Sequence, residues 1–357
     1  MSRERRARAD SGLEDDAATY ALSVVRQADR PDHPSRTMAA ESTRRMLAPV
    51  EEADRMYVSA EQFGALFQDV RAWGRWGADD ERGALNHLTP GRVVEAAGLV
   101  REGVSVTLSR PLDTTPAPDN PQPADHRMTM WGGAEPISLA KDYVGVDYHN
   151  DTHTHIDALC HVAYKGLLYN GKPAASVSSG GAEAETIETL RDGLVGRGLL
   201  LDIPRVRGVP WLEPGEHVFR DDLEAAEADH GLSVREGDAV LVRTGHARRL
   251  RELGPWDTSE AKAGLHPTAM TFFADRGVAA IGSDGNGDTA PSTTEGVGFP
   301  IHVLAIAAMG IHLLDYLQFE DLRTECERLG RWEFLLVAAP LRITGGTGSP
   351  LNPIAIL

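Results

Sequence analysis

Fourteen residues, Tyr148 to His161, hold four of the chain's 13 histidines and two aspartates. In this run, Tyr-His-Asn-Asp-Thr-His-Thr-His-Ile-Asp-Ala-Leu-Cys-His, the groups His149, Asp151, His153, His155 and Asp157 recur at every second position. In an extended chain that spacing sends all five side chains to one face. Neutral imidazole and carboxylate are ligands shared by Zn²⁺ and Mn²⁺. Two carboxylates on one face repel each other unless a cation sits between them. His161 follows Asp157 by one helical turn. From a turn into helix it would look back at such an ion, placed to carry a proton rather than to ligate. A lone H-x-H is common in polar loops and helix caps. The full H-x-H-x-D-x-x-x-H series is much harder to reach by chance, so the stretch reads as a metal site for hydrolysis.

A metal on one strand face needs ligands from elsewhere in the chain. The candidates are His302, Asp284, Asp288 and Asp315. A histidine opening an apolar run is ordinarily a satisfied core residue, and an aspartate closing one is ordinarily a cap. His302 and Asp315 would line one cavity only if the helix between them flanked it.

The elements that must hold these groups are legible in outline. Residues 1–55 are charged and poor in large apolar side chains, and they are expected to be a disordered or loosely packed extension. Residues 56–357 read as one catalytic domain. Ser59 with Gln62 forms a capping-box start for a helix, and Thr89-Pro90 opens another that runs to about Leu99. Residues 104–109 alternate as a strand does. The five prolines between Pro111 and Pro123 demand a loop. Beyond the histidine cluster, apolar strands near 198–203, 237–244, 278–282 and 332–339 alternate with helices at 221–230, 266–276 and 320–329. The apolar run 301–314 has the length of one further helix. Such alternation predicts an α/β fold with a mixed sheet.

The residues Thr154-His155-Ile156-Asp157-Ala158-Leu159-Cys160-His161 resemble the H-x-G-T-H-x-D-x-x-x-H signature of the cyclase family. This is the metal-dependent hydrolase superfamily of bacterial kynurenine formamidase and isatin hydrolase. The resemblance runs from about Trp73 to Leu357, through Trp76–Pro90, Tyr169-Asn170-Gly171, Leu241–Gly245, Gly282-Ser283-Asp284, His302–Asp315 and Gly346–Pro353. It implies a swivelling β/β/α fold and hydrolysis of an amide, formamide, lactam or lactone. It places family ligands on His155, Asp157, His302 and Asp315, and the catalytic proton carrier on His161. The first motif histidine falls on Asp151, and the motif glycine falls on His153, which either supplies the missing imidazole or limits access. An aspartate ligand is harder than imidazole and favours Mn²⁺ over a soft site, with Zn²⁺ as the other choice. Asp315, one methylene shorter than the family glutamate, makes one ion the expectation rather than two. Trp131, Tyr164 and Tyr169 are the expected aromatic substrate wall.

Composition sets outer bounds. A formal charge of −17 argues against nucleic acid and anionic membrane surfaces as partners. The longest nearly apolar run, 303–314, falls well short of a membrane span. Two cysteines make no disulfide framework, and the cytoplasm is the expected compartment. A small-molecule substrate and a homo-oligomer are the expected partners, the C-terminal arm joining the subunit interface. Cys160 beside His161 raises a thiol nucleophile, but its apolar neighbours suggest an inert one. The glycine-rich Gly345–Ser349 lacks the lysine of a phosphate loop and reads as a terminal turn. The competing reading is a family member that binds metal without hydrolysis, as a small-molecule binder, cyclase or isomerase.

Overall fold

The computed structural model describes residues 55–132 and 137–357. The expected disorder of the N-terminal extension falls almost wholly on residues outside that range.

The described residues form 15 strands, numbered here in order. They are β1 (Ser105–Thr107), the hairpin pair β2 (Asp125–Trp131) and β3 (Leu139–Gly145), β4 (His155–Asp157), and the short pair β5 (Val177–Ser178) and β6 (Gly181–Ala182). Then come β7 (Leu194–Asp202), β8 (His217–Val218), β9 (Ala239–Arg243), β10 (Gly264–Leu265), β11 (Ala280–Ser283), β12 (His312–Asp315), β13 (Glu333–Ala338), β14 (Gly348–Pro350) and β15 (Ile354–Ile356). Nine of them make one sheet in the order β1-β15-β13-β7-β9-β11-β12-β4-β14. The architecture is mixed α/β, as the alternation of elements predicts.

Strands β7, β9, β11 and β12 are parallel, and β4 closes on β12 antiparallel, with Asp315 opposite His155. Parallel strands need crossovers, and the helices Arg220–His230, Met270–Arg276 and the segment from Pro300 supply them. Both faces are then covered, which is why Leu199-Leu200-Leu201 and Val240-Leu241-Val242 are uninterrupted apolar runs with every residue buried. At the ends of β7 and β9, Arg243 is 2% exposed and bridges Asp202 and Glu320, each at 2.8 Å. Such a triad carries its burial only while all members remain paired.

Two sequence expectations are corrected, and both corrections bear on the site. Tyr148–His161 is not one extended ribbon: only His155–Asp157 is strand. Asn150 Oδ1 accepts from the backbone N–H of Thr152 at 2.9 Å and of His153 at 3.0 Å. This side-chain-closed turn breaks the two-residue alternation before it reaches β4. Likewise, 301–314 is not one helix. A turn at Pro300–His302 runs into a π-helix, Val303–Met309, and Gly310 at φ +68° ends it. The chain then enters β12, so Asp315 stands on a strand. A Cβ on Gly310 would lie 2.5 Å from the Tyr169 ring, so glycine is required twice over. β14 and β15 extend the sheet beyond the last strand read from sequence, and the C-terminal arm pairs with β4 and β13 of its own chain.

Candidate metal centre

Five side chains converge where β4, β12, the 148–154 loop and the Pro300 turn meet. His149 Nδ1 lies 3.0 Å from Asp157 Oδ1, and His155 Nε2 lies 3.5 Å from the same oxygen. His302 Nε2 lies 3.4 Å from Asp157 Oδ2 and 3.2 Å from Asp315 Oδ2. His155 Nε2 stands 3.9 Å from Asp315 Oδ2. Asp157 belongs to two donor triples, one with His149 and His155 and one with His302 and Asp315.

Asp157 is fully buried, yet among the described residues neither of its oxygens accepts an aligned hydrogen bond. Its neighbours are close, and their donor atoms gather within 4.8 Å of one another in each triple. Donors bound at about 2.1 Å around a tetrahedral ion lie about 3.4 Å from one another, and the separations here run from 3.0 to 3.9 Å. The donor set of imidazoles and carboxylates therefore fits a divalent ion such as Zn²⁺ or Mn²⁺. Asp315, on β12 opposite His155, reaches His302 despite its short side chain.

Each imidazole has one nitrogen tied off and the other directed inward. His155 Nδ1 meets the His153 carbonyl at 2.8 Å. His302 Nδ1 meets Asp288 Oδ2 at 2.5 Å, while Asp288 also accepts from the Ile301 N–H at 2.7 Å. His149 Nε2 meets Thr347 Oγ1 at 3.0 Å. Such outer partners fix tautomer and ring orientation. The glycine-rich turn is thus part of the support: a Cβ on Gly348 would lie 2.5 Å from the Ile156 carbonyl and 2.8 Å from the His149 ring.

The electrostatics are consistent with a cation-binding cluster. Burial alone would raise the Asp157 carboxyl, but His161, His149, His302 and His155 together hold it well below its usual range. Burial would likewise lower His302, and Asp157, Asp288 and Asp315 raise it well above the usual imidazole range. His161 belongs to neither donor triple. Its ring stacks on His149, with centroids 3.9 Å apart and planes 4° from parallel, and stands 6.4 Å from His302. It sits on a turn, its N–H donating to the Ala158 carbonyl at 3.0 Å, rather than on a helix. Burial outweighs the attraction of Asp157 and pushes its imidazole down to about 4, so the ring is a neutral proton acceptor near pH 7.

The remaining expected site residues disperse. Asp151 is drawn to the other side of the loop, where its Oδ1 accepts from Lys262 Nζ at 2.9 Å and Tyr316 Oη at 2.5 Å. His149, which the family motif leaves outside, occupies the place expected of Asp151. His153 is 1% exposed, with neither ring nitrogen hydrogen-bonded among the described residues, and it joins neither triple. Asp284 spends both oxygens on Thr244, Gly245 and His246 and has none left for a metal. Tyr169 is buried in the core, and its hydroxyl donates to Asp80 at 3.2 Å. Tyr164 packs against Phe63 and Phe67. Trp131 lies exposed on the β2–β3 hairpin beneath Lys141. An aromatic that sequence reading missed is Phe299, 57% exposed and edge-on to His302 with centroids 5.8 Å apart. Its position directly before Pro300-Ile301-His302 was the available signal. Cys160 is buried, its thiol pushed up to about 12 by burial, which leaves no thiolate nucleophile near neutral pH.

Comparison with known proteins adds an independent line. The Cyclase family profile, described as "Putative cyclase", matches residues 84–287, more than half of the chain. A crystal structure described as a novel cyclase is 32% identical, covering 82% of this chain and 99% of its own, with a TM-score of 0.75. Isatin hydrolase A from Labrenzia aggregata, bound to benzyl benzoate, is 22% identical over 74% of this chain and 97% of its own, with a TM-score of 0.51. An isatin hydrolase bound to the product analogue thioisatinate is 20% identical over 76% of this chain and 99% of its own, with a TM-score of 0.50. A search of curated protein sequences gives no match.

Proposed function

The chain belongs to the cyclase family, and from that premise we propose that it is a metal-dependent hydrolase of an amide, formamide, lactam or lactone bond in a small molecule. The observation that carries this reading is Asp157, buried with both oxygens lacking aligned hydrogen bonds inside a shell of three imidazoles. A fold is shared by many chemistries, so function rests on the site.

His149, His155, Asp157, His302 and Asp315 would hold the ion. A divalent metal there supplies Lewis acidity, polarising a carbonyl and lowering the pKa of a water ligand. The chain's own part is acid–base and positional. His161, neutral at working pH, takes a proton from the attacking water at its imidazole and returns it to the departing nitrogen or oxygen. Its stacking on His149 fixes the ring plane beside the donors. Phe299, exposed over His302, offers an apolar face to a flat substrate.

The test is a metal-reconstituted screen over N-formyl aromatics, lactams and lactones, with the metal content of the protein measured in parallel. The reading requires a bound divalent ion and turnover of at least one class, with His161→Ala keeping the ion and losing turnover. Metal without turnover of any class would favour a non-hydrolytic binder, and protein that takes up no metal would remove the basis of both.

A further inference from the structure

Asp151, Lys262 and Tyr316 make a cluster that metal binding does not explain. We propose that they form a buried clasp which positions the ligand-bearing segments, Asp151 being a positioning residue and not a ligand. This rests on the metal reading above.

The clasp joins three pieces of chain. Asp151 lies two residues after His149 and four before His155. Tyr316 directly follows Asp315. Lys262 is tied by its backbone to Ala290, with its N–H donating to the Ala290 carbonyl at 3.1 Å and its carbonyl accepting from Ala290 at 3.0 Å. That segment follows Asp288, the residue that orients His302. The cluster is thus tied to the loop that carries His149, to the strand that carries Asp315 and, through the segment after Asp288, to the turn that carries His302.

It is polar and mostly buried, the Asp151 side chain being 22% exposed. Lys262 is 3% exposed and Tyr316 is fully buried. Asp151 Oδ1 receives Lys262 Nζ at 2.9 Å and Tyr316 Oη at 2.5 Å, and Lys262 Nζ also lies 3.4 Å from Tyr316 Oη. Asp151 Oδ1 is thus taken up by an ammonium and a phenol, and Asp151 joins neither donor triple. The buried lysine in turn needs the carboxylate, since its charge would otherwise be uncompensated.

Tyr316 gets there through an unusual backbone. Its φ is +53°, a left-handed conformation that side chains with a Cβ seldom adopt. Thr154 Oγ1 donates to its carbonyl at 2.7 Å, and its N–H donates to the Gly285 carbonyl at 2.7 Å. Local strain persists where the surroundings over-determine it. Here the conformation lets Asp315 serve the metal triple while its neighbour holds Asp151.

Calorimetric titration with Zn²⁺ and with Mn²⁺ tests this on the full chain, comparing wild type, Asp151→Asn, Lys262→Met, Asp151→Asn with Lys262→Met, and Tyr316→Phe. The melting temperature of each metal-free protein is measured alongside. The clasp predicts that both single variants weaken metal binding by roughly 10–100-fold, the range for outer-sphere supports, with unchanged stoichiometry. It also predicts that the double variant is no worse than either single, because one unit is lost in each case. Tyr316→Phe, which removes no charge, weakens binding less and keeps the test open if the charge variants fail to fold. If Lys262→Met left affinity intact while Asp151→Asn reduced it, Asp151 would be a ligand and the proposal wrong. Wild-type affinity in every variant, with only lowered melting temperatures, would reduce the cluster to ordinary structure. A wild type that bound neither ion would instead sink the metal reading and the clasp with it.

Discussion

Asp157 and Glu185 are both fully buried carboxylates without aligned partners among the described residues, yet they titrate in opposite directions. Four histidines surround Asp157 and keep it ionised. Glu185 has Lys172 in its favour but Glu81 and Asp80 against it, and burial dominates, raising its carboxyl to about 8 from an ordinary 4.5. Between those two values the native protein keeps a proton that the unfolded chain has released. The native state then binds more protons, so its contribution to stability is lost as pH rises through that window. Glu185→Gln removes this dependence. Urea unfolding at pH 8 should find the variant more stable than wild type by on the order of 4 kcal/mol, and at pH 4.5 nearly equal. At the same scale, removing the proton carrier with His161→Ala should lower kcat by roughly 10²–10⁴ while calorimetry finds metal affinity little changed. Cys160 should resist thiol reagents in the native protein at pH 8 and react in urea.

Elements decide which of these residues meet. The π-helix 303–309 and its stop at Gly310 deliver His302 and Asp315 to one place. Gly310→Ala must fit a Cβ 2.5 Å from the Tyr169 ring at a positive φ, so it should cost about 2 kcal/mol or more. Thermal unfolding would show this as a lower melting temperature. The Asn150 turn is the equivalent device on the other side. Asn150→Ala frees the two N–H groups it holds, with His149 and Asp151 on the same loop. Its expected result is weaker metal binding with the sheet intact by circular dichroism.

For the whole molecule, an ion held there would join β4 and β12, neighbours near one edge of the sheet, to the loop that carries His149 and the turn that carries His302. If the ion binds only the native state, saturation at 100 times Kd stabilises by about 2.7 kcal/mol. A chelator should therefore lower the melting temperature by several degrees, and added Zn²⁺ or Mn²⁺ should restore it. The β2–β3 hairpin is the second feature at this scale. Its two strands are exposed almost throughout, including Met128, Met130, Trp131, Leu139 and Tyr143. A lone two-stranded hairpin is marginal in water. Among the described residues, no helix is long and apolar enough to cross a membrane.

Residue chemistry and element type were readable from sequence wherever local patterning dominates. The capping box at Ser59 and Gln62, the apolar parallel strands and the helix closed by Gly330 follow from propensity and burial, which are short-range quantities. The importance of 148–161 was equally plain, because four histidines and two aspartates in one short run are rare. Tertiary structure decided which of them meet. An extended ribbon and an Asn-closed turn cost the backbone little to exchange, so contacts with Lys262, Tyr316 and Thr347 select the turn. Those contacts lie more than 100 residues away in the chain. They turn Asp151 away and turn His149 inward, while the pairing of β12 with β4 sets Asp315 opposite His155 and Asp288 orients His302 towards Asp157. Spacing along a sequence fixes facing only while the backbone stays regular, and at this site the fold depends on its departures from regularity.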